Sequence, residues 1–384
     1  MDHTEMRQRN AAETLGILYR GSPATMATLQ RESGLSRRTL ELILDDLTTT
    51  GWVTEVPVPA RDVRPVGRPA RSFAFRYDAA CIVAVQLEAG QIHATVADLA
   101  ASVLGRLRVS LPVSTDREER LALLDDCIRR LLGQCGVERS SVVAVTVSTP
   151  GVVQDDGTID LPMTMPGWTG FSLSEAVGKM FDCPVRVEND AKLAALGEKW
   201  SRDGDVQDFA YIFGDSERIG VGLVIRNELY RGLNGAAGEV RWSHEFALEA
   251  TLLMHLDDED APGHVAAQAV VAAARTGEPA ALHEVERLAH ALAPGITSIA
   301  WLLAPEEIIL GGSLGSVQDL LIPALESALA EYDRPFATKI RGSQFGDQSI
   351  VTGCLRMCVE SLGDELFMPI AAPHPLPLNA DFGR

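Results

Sequence analysis

Four consecutive residues near the N-terminus have the types and order needed for hydrogen bonds to the base edges of DNA. They are Ser36, Arg37, Arg38 and Thr39. A serine directly before an apolar-periodic segment predicts a helix N-cap, which places the next three residues in the first turn of a helix. The first turn of a recognition helix is where side chains contact base edges. Paired charges are also common on solvated helix faces, so the surrounding elements decide between these interpretations.

Those elements predict a helix-turn-helix. Residues 5–20 and 25–33 have helical patterns, and Gly34 marks the turn before the helix that follows Ser36. In this third helix, apolar residues recur at spacings of three and four, which predicts one buried face made of Leu40, Ile43, Leu44 and Leu47. Arg37 and Arg38 lie off that face, so we expect them to point toward DNA.

A basic wing is predicted next. Residues 52–56 and 72–76 predict two short strands joined by the Pro- and Arg-rich loop 57–71. Residues 61–76 contain five arginines that are opposed only by Asp62: Arg61, Arg64, Arg68, Arg71 and Arg76. The whole chain has a net charge of -19, yet residues 1–78 contain 11 arginines and no lysine against 10 acidic residues. The acidic excess therefore belongs to the rest of the chain, and the basic tip is what a DNA groove would meet.

Length and composition favour a folded protein with two or three domains. The chain has 384 residues, of which 46% are hydrophobic. No apolar run approaches the roughly 20 residues of a spanning helix, and residues 1–10 lack the apolar core of a signal peptide. We therefore expect a cytoplasmic protein with no membrane partner. The six cysteines are dispersed, and the close pair Cys354 and Cys358 has no histidine nearby, which predicts reduced thiols and no metal site.

Beyond residue 78 the pattern changes to alternating strands and helices. Strands are predicted at 81–85, 92–99, 103–111 and 142–147, with a helix at about 116–133. Further strands are predicted at 186–187, 209–213, 220–225 and 307–310, and a final helix at about 350–362. The alternation predicts an α/β fold.

Two segments resemble the N-terminal domain of ROK-family regulators, a family whose members are sugar kinases or repressors. The segments are SGLSRRTLELILDDLTTTGWVTE and VGRPAR. The order of the later strands resembles the two-lobed actin-like (ribonuclease-H-like) body of the same family over nearly the whole chain. The resemblance implies a winged helix-turn-helix at 1–78, a first lobe at 79–190, and a second lobe at 191–384 whose C-terminal helix returns to the first lobe. It also implies that Gly67 and Arg68 form a wing whose arginine reaches the minor groove, and Arg71 is a further candidate for DNA contact.

Kinase chemistry in this fold requires a phosphate-binding hairpin, a carboxylate base and acids that hold magnesium. The family carries Asp-x-Gly-Gly/Ala-Thr at the first hairpin, whereas this chain has Gln86, Leu87, Glu88, Ala89 and Gly90. An amide replaces the metal-directing acid, and Glu88 places a carboxylate beside the phosphate position. Two negative groups about 4 Å apart repel by roughly 4 kcal/mol at an intermediate dielectric. We expect that this site does not bind ATP.

Two further segments correspond to nucleotide-binding segments of the family, and only one of them keeps the family's residues. The family's Gly-x-Gly-Ile-Gly is replaced by residues 216–220, in which Arg218 stands where glycine would let the backbone approach a nucleotide. Gly311, Gly312 and Ser313 match the family's adenosine-side turn, although any tight connection from a strand to a helix uses such glycines. We interpret this turn as a structural feature of the family fold and not as evidence of nucleotide binding.

The resemblance implies that part of a sugar pocket is retained. Asn189 and Asp190 match the Asn-Asp pair whose carboxylate acts as a base toward a sugar hydroxyl, and Glu239 matches an acid that accepts sugar hydroxyl hydrogens. The alternative is structural, since Asn189 or Asp190 can cap the following helix and Glu239 can pair locally. Both interpretations remain open.

Other family anchors are altered. Thr164 replaces the asparagine of Asn-x-Pro-x-Trp, and Trp242 replaces a ligand histidine, for which His244 is an uncertain substitute. The family's Cys-x-Cys-Gly-x-x-Gly-Cys zinc loop is missing from the sequence after Ser243. We therefore expect no structural zinc and no ordinary hexose site.

The sequence thus predicts a DNA-binding transcriptional regulator, by default a repressor, with a degenerate kinase body and no cofactor. A homo-oligomer, either a dimer or a dimer of dimers, would read half-sites about 34 Å apart or a multiple of that distance. Two mechanisms remain open: a sugar-like effector closes the lobes, or the cleft is vestigial and the body only dimerises the heads. The alternatives are an ATP-dependent sugar kinase with an appended head, based on Asp190, and a dimerisation scaffold without operator specificity.

Overall fold

A computed structural model describes most of the chain. The described residues are 3–57, 71–161, 165, 167–200, 206–215, 219–241, 243–246, 252–256, 263–332 and 338–361. Within these ranges no helix combines the length and the apolar character needed to cross a membrane.

The N-terminal head contains three helices and a small antiparallel sheet. Its elements are α1 (His3–Gly21), β1 (Ala24–Thr25), α2 (Met26–Ser33), α3 (Arg37–Thr49), β2 (Val53–Val56) and β3 (Ser72–Phe75). β3 lies in the middle of the sheet and pairs with both β1 and β2. The predicted helix-turn-helix and both wing strands are present. The sequence pattern does not reveal β1, because two residues are too few to show a strand period.

Side chains and one glycine define the ends of α2 and α3. The hydroxyl of Thr25 accepts a hydrogen bond from the backbone N–H of Thr28 at 3.2 Å. α2 ends at Gly34, whose φ of 67° lies in the left-handed region that favours glycine. The hydroxyl of Ser36 accepts a hydrogen bond from the N–H of Thr39 at 3.2 Å, which confirms the predicted N-cap.

The first large sheet has five strands in the order β11-β7-β4-β5-β6. Its strands and flanking helices are β4 (Cys81–Leu87), β5 (Gln91–Asp98), β6 (Val103–Ser110), α4 (Arg117–Gln134), β7 (Val142–Thr149), α5 (Leu173–Gly178) and β11 (Val185–Asn189). A small separate sheet is formed by β8 (Val152–Val153), β9 (Thr158–Asp160) and β10 (Phe171–Ser172). β4 is buried throughout, as expected for a central strand.

The second large sheet also has five strands, in the order β14-β13-β12-β15-β16. Its elements are α6 (Asp190–Trp200), β12 (Phe209–Gly214), β13 (Ile219–Ile225), β14 (Glu228–Tyr230), α7 (His264–Arg275), α8 (Pro279–Leu303), β15 (Glu307–Gly312), α9 (Ser313–Ser316), α10 (Gln318–Leu329), β16 (Lys339–Gly342) and α11 (Ser349–Ser361). The two sheets give the actin-like α/β architecture predicted from the sequence.

The helices α6 and α11 pack against each other between the two large sheets. α6 packs on β12 and β13, whereas α11 packs on β4 and β7. Their close approach depends on Gly353, because a Cβ there would lie 1.8 Å from the carbonyl oxygen of Leu193. The thiol of Cys358 lies 3.1 Å from the hydroxyl of Thr146 in the first sheet. One apolar core therefore continues from the head through both helices.

Candidate functional site

The outer face of α3 presents the residues that the sequence predicts for DNA contact. The side chain of Arg37 is 71% exposed and forms an ion pair with Glu41, with 2.9 Å between Nε and Oε1. Arg38 and Ser36 are exposed as well. The opposite face is buried to 3% exposure or less: Leu40, Ile43, Leu44 and Leu47. This burial fixes the rotation of α3 and holds both arginines outward.

One exposed apolar residue on α3 escapes the sequence analysis. Leu42 is 54% exposed, one helical turn after Arg38. Leu40 and Ile43 lie on the buried face, and the helical period places Leu42 on the opposite, outer face. The exposure of Leu42 could therefore have been predicted from the sequence. A leucine side chain there suits contact with the methyl group of thymine.

The base of the wing is held by a bidentate ion pair. Nε and Nη2 of Arg71 donate to Oε2 of Glu55 at 3.0 and 2.8 Å, respectively. The guanidinium also lies 5.1 Å from the centre of the Phe73 ring. Arg71 therefore has intramolecular partners that the sequence analysis did not anticipate, and its contact with DNA stays a prediction. Gly67 and Arg68 lie outside the described residues, so the tip of the wing is also still a prediction.

A hydrogen bond from Tyr19 joins the head to the first lobe, and Tyr77 supports Tyr19 from within the head. The hydroxyl of Tyr19 in α1 donates to the carbonyl oxygen of Leu99 at 2.8 Å. The hydroxyl of Tyr77 donates to the carbonyl oxygen of Tyr19 at 2.6 Å. Burial raises the pKa of Tyr19 to about 12, so this hydroxyl keeps its proton at neutral pH. The junction is therefore a pair of neutral hydrogen bonds within an aromatic contact.

Several backbone groups of the hairpin between β4 and β5 are hydrogen-bonded within the protein. The N–H of Glu88 donates to the carbonyl oxygen of Gln91 at 3.0 Å. Nη1 of the buried Arg120 donates to the carbonyl oxygens of Glu88 and Ala89, each at 2.7 Å. The carboxylate of Glu88 accepts a hydrogen bond from Nε2 of Gln91 at 2.6 Å. Glu88 thus offers a carboxylate and an occupied N–H where phosphate binding needs free donors.

The glycines at the end of β15 are explained by packing. Gly312 has a φ of 61°, and a Cβ there would lie 2.4 Å from the carbonyl oxygen of Gly214. A Cβ at Gly311 would lie 1.8 Å from the hydroxyl of Tyr211. Both contacts come from β12, so β15 requires glycine with or without a nucleotide. Residues 216–218, which include Arg218, lie outside the described residues.

Two predicted effector residues, Asn189 and Asp190, lie where β11 passes into α6. Oδ1 of Asn189 accepts a hydrogen bond from the N–H of Lys192 at 3.2 Å, and its Nδ2 lies 3.4 Å from Oε1 of Glu239. Oδ1 of Asp190 accepts a hydrogen bond from the N–H of Ala191 at 2.7 Å. Asn189 and Asp190 are each 5% exposed. Asn189 therefore caps the helix and contacts Glu239, as the structural interpretation expects, and ligand contact by these residues stays a prediction.

A buried ion pair lies beside them. Oε2 of Glu188 is 2.7 Å from Nε of Arg231, and the Glu188 side chain is 2% exposed. Burial raises the pKa of Glu188, against the opposing effect of the Arg231 charge. Burial also raises the pKa of Glu239, against the opposing charge of Lys192. Arg231 is distant from Glu188 in the sequence and belongs to no motif, so the sequence does not predict this ion pair.

Like Arg231, Lys192 lies beside Asn189, Asp190 and Glu239 and was not predicted from the sequence. Its side chain is 1% exposed, and its Nζ lies 3.9 Å from Oε1 of Glu239. Lys192 lies between Ala191 and Leu193, in a stretch of small and apolar residues. Because lysine is seldom fully buried, its place there could have marked it as a candidate site residue. The cleft therefore contains an ammonium group as well as carboxylates.

The remaining altered positions are partly described. Trp168 is 1% exposed and packs edge-on against Phe171, so it belongs to the core of the first lobe. Thr164, Pro166 and Trp242 lie outside the described residues, and His244 is exposed. Among the residues that the structure describes, no three His, Cys, Asp or Glu side chains come together as a metal site.

The fold defines a two-lobed actin-like protein that carries a winged helix-turn-helix head. The ROK family profile matches residues 82–244 and 243–360. The chain belongs to the ROK family, as the sequence predicts.

Relatives that match nearly the whole chain are named as regulators. The xylose repressor of Caldicellulosiruptor bescii is 22% identical over 94% of this chain and 98% of its own length. A crystal structure of a ROK family transcriptional regulator, a homolog of the E. coli MLC protein, has a TM-score of 0.71, is 21% identical, and covers 96% of this chain and 99% of that one. A glucokinase of Halalkalibacterium halodurans is 24% identical over 58% of this chain and 78% of its own length. The extent of the match favours a DNA-binding repressor over a kinase.

Proposed function

We propose that this protein is a transcriptional repressor that binds a specific DNA operator through α3. The observation that carries the proposal is the exposed first turn of α3, where the Ser36 cap and the buried opposite face hold Arg37 and Arg38 outward. Arginine in this position forms bidentate hydrogen bonds to guanine in the major groove. Thr39 and Leu42 extend the same contact surface with a hydroxyl and an apolar group.

The wing supplies the second contact. Arg68, next to Gly67, enters the minor groove as a cation, and Arg71 fixes the base of the wing through Glu55 or contacts the DNA backbone. In this proposal residues 1–78 form the DNA-binding domain, 79–190 the first lobe, and 191–384 the second lobe together with α11, which returns to the first.

The body does not transfer phosphate in this proposal. Phosphoryl transfer needs donors and metal ions around the phosphates, whereas the hairpin presents the carboxylate of Glu88 and the amide of Gln86. The competing function is an ATP-dependent sugar kinase with an appended head. It is supported by Asp190 and by the kinase relatives.

The body instead binds a sugar-like effector in the cleft and joins two heads in a homo-oligomer. Asn189, Asp190 and Glu239 offer hydrogen-bond partners to sugar hydroxyls. A ligand there alters DNA affinity only by binding the two states of the protein with different affinity. α6 begins at Asp190, packs on α11, and shares a core with the head, which gives the effector a continuous packed route. The protein acts in the cytoplasm, where the operator is accessible.

Selection of bound sequences from a random pool of double-stranded DNA tests the function. The purified full-length chain should enrich one motif with two related half-sites, and Arg38→Ala should lose the preference at one position of each half-site. Enrichment of no motif, with binding that depends steeply on salt alone, would favour the scaffold without operator specificity.

A coupled assay of ADP release across a sugar panel tests the kinase alternative. We expect no turnover in the wild-type chain. Turnover that is abolished by Asp190→Asn would establish the kinase instead.

A further inference from the structure

Leu42 lies on the outward side of α3, in line with Arg38. The side of α3 that packs into the head is formed by four buried residues: Leu40, Ile43, Leu44 and Leu47. With about 3.6 residues per turn, Arg38 and Leu42 both point within about 30° of the direction opposite to this buried face. Leu42 is 54% exposed, and Arg38 is exposed as well. We call these two residues the outward strip of α3.

Charged contacts on both flanks fix the place of the outward strip within the head. On one flank, Asp46 of α3 forms an ion pair with Arg7 of α1. On the other flank, α3 is close to Arg71 at the base of the wing, since the pKa of Arg71 is raised chiefly by a hydrogen bond to Glu55 and further by the charge of Glu41. The outward strip therefore lies between α1 and the wing and faces away from the head. A recognition helix presents such a face to the major groove.

An apolar side chain at this position restricts which base pair can lie beneath it. A single exposed leucine is common on protein surfaces. In the major groove, however, a leucine offers no partner to the donors and acceptors of a base edge, and a polar group that loses its water without a new partner is unfavourable. The apolar group that base pairs present in this groove is the C5-methyl group of thymine. Contact between Leu42 and that methyl group removes apolar surface of both from water, which is favourable.

We propose that Leu42 is a specificity-determining residue that selects one thymine in each operator half-site by packing on its C5-methyl group. Arg38 and Leu42 are four residues apart, which is about 6 Å along a helix, and stacked base pairs are about 3.4 Å apart. The selected thymine therefore lies within about two base pairs of the position that Arg38 reads, on either strand. This inference rests on the proposed function, because it specifies part of the operator sequence that the repressor recognises.

Replacement of thymine by deoxyuridine tests the inference, because it removes the C5-methyl group and leaves the hydrogen-bonding groups of the base in place. The operator obtained by DNA selection is prepared with each thymine of one half-site replaced in turn, and binding of the full-length chain is measured by fluorescence anisotropy. We expect one replacement, near the position at which Arg38→Ala loses its preference, to weaken binding by about 3- to 10-fold, as the loss of one buried methyl group predicts. The same replacement should leave the affinity of Leu42→Ala unchanged.

Two further variants serve as controls. Leu42→Met keeps an apolar side chain of similar size, so it should stay sensitive to deoxyuridine at the same position. Met6 in α1 is another exposed apolar residue of the head, with 44% exposure. Met6→Ala should bind every version of the operator as the wild-type chain does.

The inference is overturned if the wild-type chain binds every deoxyuridine version as tightly as the unmodified operator, or if Leu42→Ala remains sensitive to the same replacement. A selected half-site without thymine also overturns it, as does a sensitive thymine more than about two base pairs from the Arg38 position. These outcomes differ from a failure of the proposed function. A chain that selects no operator loses the proposed function, whereas a chain that selects an operator but does not detect the methyl group loses only this inference.

Discussion

Nζ of Lys192 lies 3.9 Å from Oε1 of Glu239 beside the start of α6. The two groups attract each other, yet they are too far apart for a hydrogen bond. The Lys192 side chain is 1% exposed and the Glu239 side chain is 27% exposed, so the pair joins a buried ammonium group to a partly exposed carboxylate.

Loss of the Tyr19 hydroxyl should uncouple the head from the effector. Tyr19→Phe removes the hydrogen bond to the carbonyl oxygen of Leu99 and should cost about 1 kcal/mol of unfolding free energy. We expect nearly normal operator affinity without ligand and a reduced change on ligand addition, measured by fluorescence anisotropy. Tyr332→Phe alters an exposed tyrosine and serves as the control. A full ligand response in Tyr19→Phe would exclude this junction as the route.

The packing of α6 on α11 should not tolerate a methyl group at Gly353. A Cβ there would lie 1.8 Å from the carbonyl oxygen of Leu193, so Gly353→Ala should lower the unfolding free energy by about 1 to 3 kcal/mol. Gly133→Ala in α4 meets nothing within 4 Å and should be neutral or stabilising by up to about 1 kcal/mol. Urea denaturation compares the two variants. Equal unfolding free energies of the two variants would show that α6 and α11 can move apart at little cost in free energy.

Removal of Arg341 should destabilise the second lobe strongly. Its Nη1 lies 2.6 Å from Oε1 of Glu198, which is fully buried, and its Nε lies 2.9 Å from Oε2 of Glu307. Arg341→Ala leaves buried carboxylate charge without this partner and should cost about 3 to 5 kcal/mol. Arg275→Ala breaks an ion pair with Asp319 in which both side chains are 51% exposed, and it should cost about 1 kcal/mol or less. If chemical denaturation shows that Arg341→Ala and Arg275→Ala lower the unfolding free energy by similar amounts, the structural role of Arg341 is refuted.

Local patterns were sufficient to predict the head and most strands of the two large sheets. The Ser36 cap, Gly34 and the apolar period of α3 are all encoded within a few residues, and the structure has them as predicted. β1, β14 and β16 were not predicted, because their partners in the sheet define them more than their own period does. The helices α7, α8 and α10 were covered only by the general expectation that strands and helices alternate.

The candidate cleft was only half predictable. Asn189, Asp190 and Glu239 follow from motifs, but the contributions of Lys192 and Arg231 depend on tertiary contacts. Glu188 and Arg231 are 43 residues apart in the sequence, and no local rule pairs them. Arg71 illustrates the same limit, since its ion pair with Glu55 crosses the wing.

The most direct test of the central claim compares the operator affinities of the wild-type chain and Arg38→Ala. Affinity is measured on the selected operator and on versions with single base-pair changes, at one salt concentration. We predict that Arg38→Ala loses about 1 to 3 kcal/mol on the operator and becomes indifferent to one base pair in each half-site, while other positions keep their effects. Equal loss on every sequence, or no loss at all, would contradict the account of α3 as the element that recognises DNA.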